Sequence, residues 1–138
     1  MKPPYQYAAE AVRVIDGDTI DVILDFGFSL KQKMRLRLSG IDTPELNSKD
    51  EEERERAQHA RSFVWNCLEA SPEAVEVSRT LIVRSRELVV KTIKTRAGKE
   101  RQTFGRYVAE VYFKTNEGEW KHLNQLLLDE GLAVASKG

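Results

Sequence analysis

Residues 14–24 read VIDGDTIDVIL, and the fold turns on that stretch. Apolar and polar residues alternate on both sides of Asp16-Gly17, a dipeptide that favours chain reversal, so the segment predicts two strands of a hairpin. Its charge is the oddity. Asp16, Asp18 and Asp21 fall within six residues of a segment that otherwise calls for burial. Aspartate is a poor strand residue and clustered carboxylates repel one another, so something must offset that negative charge.

Outward from the hairpin, strands are predicted at Ala11–Ile15, Ile20–Leu24 and Lys31–Ser39. In the third, Met34, Leu36 and Leu38 face one way and Lys33, Arg35 and Arg37 the other. Pro44 keeps the following IDTPEL from being helical throughout. Ser48-Lys49-Asp50-Glu51 has the pattern of a capping box that opens a helix. Ala57, Ala60, Phe63, Val64, Cys67 and Leu68 then recur at helical spacing, with Ser71-Pro72 just past the end. Cys67 falls on that stripe and reads as a core residue.

The β-branched run TLIVRSRELVVKTIKT reads as one or two strands, and RYVAEVYF as another after a basic loop. LNQLLLDEGLA reads as a short helix ended by Gly131. About five strands with one long and one short helix predict a mainly β fold, a small barrel with packed helices. Residues 1–10 read as a lead-in and 11–138 as a single domain.

Composition bounds the function. The chain has 138 residues, 41% hydrophobic and 32% charged, with no apolar run long enough to span a membrane and no leader-like segment after Met1-Lys2. An intracellular monomer is the default expectation. The lone Cys67 excludes an intrachain disulfide and a cysteine-based zinc site. Net charge is zero, yet its distribution is uneven. Seven acids against two bases fall between Asp42 and Glu55, and nine bases against two acids between Arg79 and Arg106. A polyanion suits the basic half, although two solvated faces explain the pattern equally well.

Two acidic motifs, Asp16-Gly17-Asp18-Thr19 and Asp42-Thr43-Pro44-Glu45, put carboxylates where backbone carbonyls are also free. Hard cations such as calcium or magnesium take such oxygens. Either motif alone is better read as turn chemistry. Arg37, five residues before Asp42, and Arg106, in Phe104-Gly105-Arg106, add two planar forks that match phosphate oxygens. Alone, either arginine is an ordinary ion-pair partner. His59 and His122, the only histidines, read as structural or exposed.

In this order, VIDGDT, DTPE, FGR and LNQLLLDEGLA resemble the staphylococcal nuclease (thermonuclease) family, from about Val12 to Ala133. The resemblance implies a five-stranded OB-fold barrel with about three α-helices, and a calcium-dependent nuclease acting on DNA and on RNA. It implies Asp18, Asp42 and the Thr43 carbonyl as calcium ligands, and Asp16 as an acid behind them. Glu45 would be the general base. Arg37 and Arg106 would hold the phosphate and stabilise the transition state, with Phe104 and Tyr107 as substrate contacts. The product would carry a 3′-phosphate.

Two features depart from the family. Relatives commonly place Lys-Tyr before Gly-Arg, where this chain has Thr103 and Phe104, and the stacking tyrosine after the last helix has no match. The alternative within the family is a non-catalytic OB-fold module that binds nucleic acid. A protein–protein adaptor using the acidic segment is a third reading, and it would need neither metal nor arginine pair.

Overall fold

A computed structural model describes residues 5–69, 75–77, 80–82, 85–93, 102–103 and 106–136, with the backbone alone for 75–77, 80–82, 102–103 and 106. The hairpin at residues 14–24 forms. Strand β1 (Gln6–Asp16) pairs antiparallel with β2 (Thr19–Asp25), Asp16 standing opposite Thr19 across the turn residues Gly17 and Asp18. The expected lead-in is shorter than ten residues, because β1 begins at Gln6, where its backbone finds a second partner strand.

Two register shifts interrupt the β1–β2 ladder, between Ala11 and Arg13 and between Val14 and Asp16. Each inserts one residue, which moves the inward face from Ala9 and Ala11 to Val14. Simple alternation hides this. A bulge also bends the strand and re-aims the residues beyond it, here the acidic turn.

Strand β3 (Lys31–Leu38) runs back along β2, with Thr19 opposite Arg37 and Asp25 opposite Lys31. After it come β4 (Ile41–Asp42) and helix α1 (Glu51–Leu68). A separate hairpin of β5 (Val75–Val77) and β6 (Thr80–Ile82) precedes β7 (Leu88–Thr92), so the β-branched run holds two strands. Strands β8 (Gln102–Thr103), β9 (Arg106–Lys114) and β10 (Trp120–His122), helix α2 (Leu123–Asp129) and β11 (Val134–Ala135) complete the order.

Strand β9 closes the barrel. It runs parallel to β3 and antiparallel to β7, which returns to β1, so β1, β2, β3, β9 and β7 form a ring of five strands. Closure leaves these strands without free edges. Ile20, Val22, Leu24, Leu36, Leu38, Leu88, Val90, Ala109 and Val111 fill the interior. Burying such an aliphatic side chain contributes roughly 1.5–3 kcal/mol. This is the expected five-stranded barrel, but with two helices among the described residues instead of about three.

Helix α1 buries Ala57, Ala60, Val64 and Leu68, and Arg61 Nε donates to the Val14 carbonyl at 3.3 Å, which fixes the helix over the bulged strand. Phe63 and Cys67 are half-buried against the same core, and burial pushes the Cys67 thiol up to about 11. The N-cap is Asp50, accepting from Glu52 N–H at 3.0 Å; the Ser48 capping box expected from sequence does not form. Ser48 instead donates to Glu53 at 2.6 Å. Among the described residues no helix is long and apolar enough to cross a membrane.

Helix α2 ends as predicted, with Gly131 in the left-handed region (φ 71°) and Leu132 N–H returning to the Leu127 carbonyl at 2.9 Å. Its buried Asn124 was not anticipated. Oδ1 accepts from Val111 N–H at 3.1 Å, and Nδ2 donates to the Ser39 and Ala109 carbonyls at 3.0 and 3.2 Å. One amide thus ties β9 to the end of β3, adding to the 2.9 Å bond that Ser39 N–H already gives the Ala109 carbonyl.

Candidate functional site

The acidic turn is pressed against two neighbours. A Cβ built on Gly17 would lie 2.8 Å from the Ala60 side chain of α1 and 2.8 Å from Thr43 Cγ2, so only glycine fits. That close approach brings the turn to the Asp42-Thr43 loop. Asp18 N–H donates to Asp16 Oδ1 at 3.1 Å, and Asp18 Oδ2 accepts from Thr43 N–H at 3.1 Å. Thr19 Oγ1 adds a 3.2 Å bond to Asp18 Oδ1.

Arg37 reaches the same point because β2 and β3 register it opposite Thr19. Its Nη2 lies 3.2 Å from Asp18 Oδ2 and also bonds Asp42 Oδ1, while Nη1 donates to the Leu38 carbonyl at 3.1 Å. Asp42 itself is half-exposed and is steadied by β4, which pairs with β11 so that Val134 stands opposite it.

The two acids of the turn titrate apart. Burial, then the hydrogen bond and like charge of Asp18, push Asp16 up to about 6. Burial acts to raise Asp18 too, but hydrogen bonds from Asp16 and Thr43 N–H and the charge of Arg37 outweigh it. Asp18 therefore stays below the usual carboxylate range and is the ionised partner.

Glu45 is exposed, three residues beyond Asp42, and its N–H donates to Glu53 Oε1 at 3.3 Å. Glu53 also holds Ser48, so one carboxylate from the first turn of α1 shapes the whole 45–48 loop. Sequence reading missed it. The available signal was a second acid two positions after the capping-box glutamate.

Among the described residues no three His, Cys, Asp or Glu side chains converge as a metal cluster. The structure brings together Asp16, Asp18, Arg37, Asp42 and Thr43. Arg106 opens β9 opposite Thr103, its side chain outside the described residues, as is Phe104. Tyr107 pairs with Leu36 and packs half-buried against the core. His59 is exposed, and His122 stacks on Tyr112 at 4.6 Å.

Beside the acids, Asp42, Thr43, Glu53, Arg56, Leu132 and Val134 line a groove of about 320 Å³. A larger groove of about 420 Å³ is lined from the far ends of β2 and β3, among Ile23, Asp25, Lys31 and Trp120, away from this chemistry. The smaller one is the more relevant, because Asp42, which bonds Arg37, and Thr43, which donates to Asp18, form part of its wall.

A closed five-stranded barrel with a guanidinium-bridged acid pair at one end is an OB-like architecture. The family model for staphylococcal nuclease homologues matches residues 35–137. The chain belongs to that family, which points to nuclease-type or nucleic-acid-binding function. Asp16 and Asp18 lie before the matched residues, while Arg37, Asp42, Thr43 and Glu45 lie within them. The chain is also similar to Protein ParB of Escherichia coli, 39% identical over 72 residues. That match covers 52% of this chain and 38% of the relative's length.

Proposed function

We propose that this protein is a calcium-dependent nuclease that hydrolyses phosphodiester bonds of DNA and of RNA, leaving 3′-phosphate ends. The observation that carries the reading is the Asp18–Arg37–Asp42 bridge, within a chain of the nuclease family. Two carboxylates that share one guanidinium lie close together, and they are hard oxygen donors of the kind calcium takes. Asp18 and Asp42, with the Thr43 carbonyl, would hold the ion. When bound, calcium supplies a Lewis acid that offsets charge on the phosphoryl oxygens.

The chain's own residues do the rest. Arg37, and Arg106 from the start of β9, clamp the phosphate and stabilise the extra negative charge of the transition state. Glu45 accepts the proton of a water whose oxygen attacks phosphorus. The P–O bond to the 5′-carbon breaks, and that oxygen leaves as the hydroxyl after taking a proton. Asp16 holds the Asp18 backbone in place.

The test is incubation with single- and double-stranded DNA and RNA, in calcium, in magnesium and in chelator. Cleavage in calcium that chelator abolishes is expected, and Glu45→Gln should lower turnover by about 10²–10⁴. Wild-type speed in chelator would remove the metal, and wild-type speed in Glu45→Gln would remove the base. Tight binding of nucleic acid with no cleavage in any condition would leave the non-catalytic module as the function.

A further inference from the structure

The outward face of β3 continues away from the site. Arg37, Arg35, Lys33 and Lys31 alternate with the inward Leu36 and Leu38, so four cations stand in one row about 7 Å apart. Arg35 is oriented by Asp21, at 2.9 and 3.2 Å, and stays 49% exposed. Lys33 and Lys31 make no ion pair among the described residues. Across β2, Arg35 faces Asp21 and Lys31 faces Asp25, whereas Lys33 faces Ile23.

The row ends at the β2–β3 loop, Phe26 to Leu30, which is built rather than loose. Phe26 N–H donates to the Leu30 carbonyl and Leu30 N–H to the Gly27 carbonyl, both at 2.9 Å; Gly27 N–H donates to Asp25 Oδ1 at 2.8 Å. Phe26 packs edge-on against Tyr7. Phe28 and Ser29 follow Gly27 in the left-handed region (φ 53° and 65°), which is costly for residues with a Cβ. The effect is to hold Phe28 clear of the barrel, 98% exposed.

We infer that this row and its aromatic tip are a track for single-stranded polynucleotide leaving the site, with phosphates along Arg35, Lys33 and Lys31 and a base stacked on Phe28. The inference rests on the nuclease reading and specifies the form of its substrate. Cations at regular spacing next to an exposed ring are what sequence-independent single-strand binding requires, and about 4–16 nucleotides per OB fold is the usual reach. A lipid surface would also accept Phe28 and the lysines, but it would not need a row that continues from Arg37.

The test measures binding of a labelled oligothymidylate of about twelve nucleotides and of a thymidine dinucleotide, in chelator, by fluorescence anisotropy. Phe28→Ala should weaken the long oligomer about 5- to 100-fold and leave the dinucleotide unchanged. Lys31→Gln with Lys33→Gln should lower the slope of log affinity against log salt by about 1.4, as losing two single-strand phosphate contacts predicts. Wild-type affinity and slope in these variants would overturn the track while leaving the nuclease reading to its own cleavage assay. An oligomer bound by neither wild type nor variant would overturn it as well. So would loss of phosphatidylserine vesicle binding in Phe28→Ala with oligomer binding intact, which would assign the tip to membranes. A weakened long oligomer in a protein that cuts nothing would uphold the track and defeat the nuclease reading alone.

Discussion

Arg37 stands 3.2 Å from Asp18, and the same terminal nitrogen bonds Asp42. The contact is not local in sequence. It exists because β3 lies beside β2 in the one register that sets Arg37 against Thr19. Asp18 is buried, and truncating the cation beside a buried carboxylate leaves that charge uncompensated. Arg37→Gln should therefore raise the Asp18 pKa and lower cleavage by about 10²–10³. Carbon-detected NMR titration of the Asp18 carboxyl and a single-turnover assay check the two halves. An unmoved Asp18 would mean that Thr43 and Asp16 alone keep it ionised.

Gly17 gives a prediction about packing. A methyl group there meets Ala60 and Thr43 at 2.8 Å, and neither neighbour can swing away as a long side chain would. Gly17→Ala should cost about 1–3 kcal/mol, read as a lower urea midpoint with unchanged slope. Activity should fall further than stability, because relief of the clash separates Thr43 from Asp18.

Asp16 predicts a dependence on pH. Its folded pKa, about 6, lies above the ordinary 3.8, so the folded state disfavours its charge. The destabilisation is therefore present in full above pH 6 and fades as pH falls from there toward 4. Asp16→Asn keeps an acceptor for Asp18 N–H and removes that charge. In chelator, its thermal midpoint should exceed wild type at pH 7.5 and converge with it near pH 4. A constant difference across that range would show that Asp16 acts through shape.

Asn124 tests how the barrel closes. Asn124→Leu removes three hydrogen bonds and takes the side-chain partner from Val111 N–H and from the Ser39 carbonyl, while the Ala109 carbonyl keeps Ser39 N–H at 2.9 Å. About 2–4 kcal/mol should be lost on denaturant unfolding, since each orphaned buried group costs about 1–3 kcal/mol and some rearrange.

Much of the barrel could be read from local pattern. Alternation located β2 and β3, helical spacing located α1, and Gly131 marked the end of α2. What escaped depends on partners far away in the chain. The bulges around Val12 and Ile15 break alternation without any special residue. Strands β4 and β11 are two residues each, too short for a period. Asn124 looks like any helix-surface amide until β3 and β9 are placed around it.

The site was legible as a set of residues and less so as an arrangement. Asp18, Arg37, Asp42 and Thr43 come together. Asp21, counted with the acidic cluster at first sight, belongs to Arg35 instead, because strand alternation turns it onto the outer face. The role of Glu53 depends on the exact cap of α1, which sequence misplaced by two residues.

The pairing of β4 with β11 bears on when the site is finished during synthesis. Asp42 leaves the ribosome early, yet the strand that steadies it ends at Ala135, after every other described element. The barrel must likewise await β9 before β3 and β7 can close on it. Acids and arginine are thus translated long before they are fixed in place, at a pace of about 5–20 residues per second. That order sets a delay between translation of these residues and their fixation in the fold. The nascent chain carries Asp18, Arg37 and Asp42 well before the clasp of β4 with β11 is made.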